Sequence, residues 1–151
     1  MSHVDVGFNC ITKNLQAQSQ PIPNPEDNTG RQRRYSVVFV ARGDQSAAFN
    51  CHFPQMVGAS TRSLPDADKT RLVGFSRACS EKLSRCLGIP RVSSVALVAD
   101  APGAMGVQEL VRSTIPAIDV PWLPVPQAED YRHTKINSIQ TTVGNKKMRV
   151  A

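Results

Sequence analysis

Aromatic side chains are scarce, 5% of 151 residues, which argues against a module that holds single strands by stacking bases on exposed rings. No apolar run approaches the ~18 residues of a membrane span, so no membrane contact is expected. The four cysteines (Cys10, Cys51, Cys79 and Cys86) form no CxxC pair and have no histidine at ligand spacing, so no metal site is expected. Cys79 and Cys86 stand two helical turns apart, roughly 10 Å along the axis, too far to bridge within one helix. With no signal peptide, the chain reads as reduced and intracellular, its thiols buried and inert.

Catalytic equipment is equally sparse. His3, His52 and His133 have no carboxylate or nucleophile near them in a recognisable arrangement. Gly103-Ala-Met-Gly106 lacks the Lys-Ser/Thr pair that holds phosphate and magnesium in a phosphate loop. The sequence therefore predicts no enzyme in its own right, no catalytic residue and no cofactor.

What is present has an ordinary globular balance: 40% hydrophobic and 20% charged residues, on a length suited to one domain with its own core. The net charge of +6 is unevenly placed. Residues 35–130 carry nine basic and nine acidic side chains, whereas residues 131–151 carry five basic residues (Arg132, Lys135, Lys146, Lys147, Arg149) and no acid. Arg31, Arg33 and Arg34 form a second basic cluster. Such clusters around a neutral core fit polyanion binding or a solvated tail.

Helical periodicity over residues 8–18 puts Phe8, Ile11 and Leu15 on one face and Asn9, Thr12, Lys13 and Gln16 on the other. Pro21, Pro23 and Pro25 end this helix, and a polar loop runs to Gly30. Tyr35–Ala41 reads as a strand covered on both faces. Residues 45–59 read as a helix with a kink or late start at Pro54, followed by a loop over 60–69 and a strand at Arg71–Phe75. Arg77–Leu87 reads as an amphipathic helix capped by Gly88. Cys79, Leu83, Cys86 and Leu87 are expected on its inner face, with Glu81 and Arg85 as an outer i,i+4 pair. A third strand is expected over 92–99, a helix carrying Val107, Leu110, Val111 and Thr114, and a fourth strand over 117–120. This alternation predicts a mostly parallel or mixed sheet sandwiched between helices. Beyond it, Pro121, Pro124 and Pro126 make an extended connector with the only tryptophan, Trp122. The basic tail follows, with Ile136, Ile139 and Val143 at helix-compatible spacing.

Two segments carry the functional signal. Asn9 and Lys13, at i,i+4, project side by side, and Gly7 lets the backbone come close to a ligand at the helix start. An amide can bridge the edges of unpaired bases, and a lysine and a helix N-terminus both favour phosphate. An ordinary solvated face has the same composition. The second segment, Ile89-Pro90-Arg91-Val92, is either a plain connection or a Pro-stiffened loop offering apolar atoms to an extruded base and a guanidinium to phosphate.

Here the chain resembles a known family. Gly7-Phe-Asn-Cys-Ile-Thr-Lys-Asn-Leu15 is similar to the G-x-N-E-x-T-K-x-L helix of the ribosomal and small-nucleolar kink-turn-binding superfamily. His52-Phe-Pro-Gln55 resembles its H-L-P helix, and Lys82-Leu-Ser-Arg-Cys-Leu-Gly-Ile-Pro-Arg-Val92 resembles its segment ending L-G-V-x-R-x-V. Within that superfamily the chain looks like the fungal Pop-three subunits of ribonuclease P and ribonuclease MRP, through Asp100-Ala-Pro-Gly103, Val120-Pro-Trp122 and the tail from Tyr131 to Val143.

The resemblance implies a three-layer α/β/α sandwich around a small mixed sheet over residues 1–120, with a C-terminal extension over 121–151. It implies RNA contacts at Gly7, Asn9, Thr12 and Lys13, and at Ile89, Pro90, Arg91 and Val92. It implies a non-catalytic subunit that grips the catalytic RNA of ribonuclease P or MRP, in the nucleus and nucleolus, supporting tRNA leader removal and rRNA precursor processing. Other protein subunits are expected to bind residues 121–151. Alternatives are a protein-interaction scaffold without specific RNA contact, and a ribosomal or small-nucleolar kink-turn protein. Cys10 stands where the family places a glutamate that accepts hydrogen bonds from guanine, so a related RNA bend is expected rather than a standard kink-turn. The family fold also has a helix ahead of this motif, where only Met1 to Val6 stand here, and a strip of exposed apolar surface is expected where that helix would pack.

Overall fold

The β-branched and aromatic run Tyr35–Ala41 forms β2, an interior strand of a four-stranded mixed sheet. This computed structural model describes residues 3–20, 33–42, 45–120, 123 and 136–141. The other strands are β1 (Val4–Val6), β3 (Arg71–Phe75) and β4 (Ser94–Val98), and the spatial order is β1-β4-β2-β3. β2 is parallel to β3 and antiparallel to β4, which is antiparallel to β1. Among the described residues five α-helices accompany the sheet of this small α/β protein: α1 (Phe8–Ser19), α2 (Ala47–Asn50), α3 (His52–Thr61), α4 (Arg77–Leu87) and α5 (Met105–Thr114).

One face of the sheet carries the main core. The β2–β4 register slips between Tyr35 and Val37, and this bulge brings Tyr35 onto the same face as Val38 and Val40. Ala96 and Val98 join them from β4. Ile11 and Leu15 of α1, with Phe53 and Val57 of α3, close over that face. Each fully buried side chain of this size contributes about 1.5–3 kcal/mol. Phe8 seals one corner, its ring 4.5 Å from Phe49 and edge-on to Phe53 at 5.4 Å.

The α1 periodicity is realised as expected, with Asn9, Lys13 and Gln16 in solvent. The helix over 45–59 is split in two at Cys51, and Pro54 sits in the first turn of α3, where its missing N–H leaves no bond unmade. The fourth strand is not at residues 117–120, which form no ladder. Instead Ile118 packs on the core and Val120 lies against Gly58 of α3, while the fourth strand is Val4–Val6.

α4 has the expected ends but not the expected inner face. Ser80 is its one buried residue; Cys79 and Cys86 are exposed, and Leu87 is 42% exposed. The helix turns Ser80 inward, where its hydroxyl donates to the Val92 carbonyl at 2.7 Å and anchors the chain entering β4, while Leu83 is half-buried. Glu81 pairs with Arg77 at 3.3 Å, and not with Arg85. All four cysteines are exposed, contrary to the expected burial. In α5, Gln108 takes a buried position and donates to the carbonyls of Val98 and Ala99, leaving Val107 and Leu110 outside. Large apolar side chains thus stand in solvent on β1 (Val4), α4 (Leu87) and α5 (Met105, Val107, Leu110).

Residues 136–141 form no helix, and Ile136 and Ile139 are each 83% exposed. The proline loop of residues 21–32, Trp122, His133, Val143 and the basic residues of the tail lie outside the described residues.

Candidate functional site

Gly7 joins β1 to α1 with φ of 96° and ψ of 150°, a backbone region that a side chain disfavours. In that conformation its N–H donates to the Ser94 carbonyl at 2.9 Å. No side chain caps α1 and no acid lies in its first turn, so the positive end of the helix dipole stays unscreened. Asn9, Cys10 and Lys13 are exposed beside it. Thr12 is half-buried and its hydroxyl donates to the Phe8 carbonyl at 2.9 Å, an intrahelical duty that leaves it facing the chain itself.

The second segment starts at Gly88, whose left-handed conformation (φ 65°) ends α4. The N–H groups of Gly88 and Ile89 both reach the Ser84 carbonyl. Ile89 is half-buried, Pro90 and Arg91 are exposed, and Val92 is buried. The loop is then tied on three sides: Val92 to Ser80 of α4, Ser93 to the Ala41 N–H at 2.8 Å, and Ser94 to Gly7. Its backbone is therefore held in place by α4, β2 and the start of α1.

The two segments meet, far apart as they are in sequence. Asn9 stands two residues after Gly7, and Arg91 three residues before Ser94, on either side of one backbone hydrogen bond. Two buried polar atoms at the same corner, Ser94 Oγ and Asn50 Oδ1, have no hydrogen-bond partner among the described residues. Asn50 reaches this corner because its amide donates to the Ala41 carbonyl. The Gly7–Ser94 bond thus sets the start of α1 beside the strand start into which the Ile89–Val92 loop leads, while Thr12 and Val92 serve the framework.

The sequence places Arg77 and Ser84 only within a helix and Arg85 only in a pair with Glu81. With Ser80, Glu81, Ile89, Pro90 and Arg91 they line an open groove of ≈ 640 Å³ that reaches the Ile89–Val92 loop. The available signal was the arginine spacing, since positions 77, 81 and 85 share one helical stripe. No three His, Cys, Asp or Glu side chains gather as metal ligands among the described residues. No helix among them is long and apolar enough to cross a membrane. Neither any protein-family model nor any curated protein matches the chain.

Proposed function

We propose that this protein is a non-catalytic RNA-binding subunit of nuclear ribonuclease P and ribonuclease MRP, with the Gly7–Ser94 corner as its RNA-contacting edge. The observation that supports the reading is the Gly7 to Ser94 hydrogen bond, which brings an uncapped helix N-terminus beside a loop offering Pro90 and Arg91. Asn9 would address base edges, while Lys13, Arg91 and the first turn of α1 would address phosphate. The same reading adds a three-layer α/β/α arrangement of the kink-turn-binding type and a nuclear and nucleolar location. The complex's RNA would perform the phosphodiester chemistry, and this subunit would support its folding and assembly. A thiol at Cys10 in place of an acceptor favours a related RNA bend over a standard kink-turn.

Sequencing the RNA that co-purifies with the tagged protein tests this directly. Enrichment of the ribonuclease P or MRP RNA is expected, and recovery of neither overturns the reading. Replacing Asn9 and Lys13 together should weaken cognate RNA far more than random RNA; equal losses would remove the specific site.

One observation favours a second role in the same complex. Ile136 and Ile139 are exposed apolar side chains in a segment that forms no helix of its own, as suits docking on a larger protein subunit. Deleting residues 121–151 separates the roles: lost assembly with retained RNA binding would assign the tail to protein contact.

A further inference from the structure

The groove beside the edge carries chemistry that the corner alone does not use. Among the described residues its walls hold Arg77, Arg85 and Arg91 and one acid, Glu81. Arg77 pairs with Glu81 at 3.3 Å, while Arg85 has no ion pair among the described residues. Ser84 lines it beside Ser80, whose hydroxyl is already committed to Val92. No aromatic ring among the described residues lines it. The groove is a charged trough without a stacking platform, which suits a sugar–phosphate backbone and leaves bases unread.

Its position and length point the same way. Arg77 and Arg85 are separated by about 12 Å along α4, so the trough meets a strand over more than one residue. Its far end is the turn of Ile89, Pro90 and Arg91, which leads into the strand start bonded to Gly7. A strand passing over that turn meets Arg85 next along α4, with the Arg77–Glu81 pair beyond it.

We propose that this groove binds the phosphodiester backbone of the RNA strand running on from the Gly7–Ser94 edge, with Arg85 as its principal contact. This rests on the RNA-binding reading of that edge. The groove supplies sequence-independent affinity, and the edge supplies discrimination.

The test titrates the full-length chain, between 50 and 300 mM potassium chloride (roughly the range over which phosphate contacts are lost), against two fluorescein-labelled RNAs. One is a stem with an asymmetric internal loop, the other an unstructured oligouridylate. Arg85→Ala should weaken both equally and reduce the slope of log affinity against log salt by about 1. Arg77→Ala with Arg85→Ala should extend that loss. Arg112→Ala, which removes an exposed arginine of α5 outside the groove, should leave the slope unchanged. Thermal unfolding of each variant shows that it is folded.

Wild-type slopes in the Arg85 variants, with binding still lost in the Asn9/Lys13 double variant, would overturn the groove and leave the edge standing. Failure of the wild-type chain to bind either RNA would overturn the edge reading, and the groove with it. A loss confined to the looped stem would make Arg85 a discriminating contact and also overturn the backbone assignment.

Discussion

At Tyr35 the phenol donates to Asp5 Oδ2 at 2.6 Å from inside the core, and Arg33 takes the other carboxylate oxygen at 3.0 Å. Asp5 pairs with Ala96, which also pairs with Val38, so the contact passes over a small residue of β4 to link β1 with β2. Asn14 and Gln18 of α1 both donate to the Arg33 carbonyl, which ties the end of α1 to the same corner. Burial, then the hydrogen bond to Asp5, pushes the Tyr35 phenol well above its ordinary range. In the unfolded chain the phenol ionises near pH 10, whereas in the folded chain it stays protonated. Its contribution is therefore complete below about pH 10 and is lost as pH rises past that value. Tyr35→Phe should lower stability by about 1–3 kcal/mol at neutral pH, because a buried carboxylate loses a donor. It should also flatten the alkaline decline in denaturant midpoints measured from pH 8 to 11, roughly spanning the free phenol's titration. An equally steep decline in both proteins would assign the effect elsewhere.

Among the elements, α4 shows how a helix can have its sequence-expected ends and a different inner face. Its apolar stripe of Cys79, Leu83, Cys86 and Leu87 is lopsided, and periodicity assigns the stripe inward. The decisive contact is a hydroxyl: Ser80 is buried because the Val92 carbonyl needs a donor, and periodicity gives no weight to that requirement. Ser80→Ala should destabilise the fold by about 1–2 kcal/mol. Cys79→Ala and Cys86→Ala, both in solvent, should stay within about 0.5 kcal/mol. Urea titrations of the three variants check this, and the reverse ranking would restore the apolar inner face. α1 and β2 were legible because their apolar patterns agree with their burial, whereas β3 was legible from its composition although Arg71 is its one buried residue. β1 was not, since three residues are too short for a period, and its identity depends on pairing with β4. The extended segment at 117–120 has strand-like composition, yet it lies against Gly58 rather than in the sheet. Of the candidate site, the exposed Asn9, Lys13 and Arg91 were readable. The bond that joins Gly7 to Ser94 was not, because it depends on β1 and β4 being neighbours.

Seen whole, the molecule divides its surface between charge and uncovered apolar side chains. Gln108 holds the inner position of α5 through two carbonyls at the end of β4, and Leu110 is left 65% exposed with Val107 beside it. These side chains therefore add little to the stability of the isolated chain. Val107→Thr with Leu110→Gln should each change it by no more than about 0.5 kcal/mol. Val111→Ala, at a buried position of the same helix, should lower it by about 1–3 kcal/mol. Chemical denaturation separates the two cases, and hydrophobic-dye fluorescence should fall only in the Val107/Leu110 variant. A large loss of stability in that variant would show that the exposed flank is part of the core.

The bond from Gly7 to Ser94 also governs how the two halves of the edge can move. β1 is three residues long, lies at the margin of the sheet and forms its ladder with β4 alone, held otherwise by the Asp5 contacts to Tyr35 and Arg33. Whenever β1 peels from β4, Gly7 leaves Ser94, and the first turn of α1 loses its fixed spacing from Arg91. A ligand spanning both would hold a local opening equilibrium shut, and its affinity would contain the free energy of that closure. Binding of such a ligand would thus be coupled to the closing of a strand.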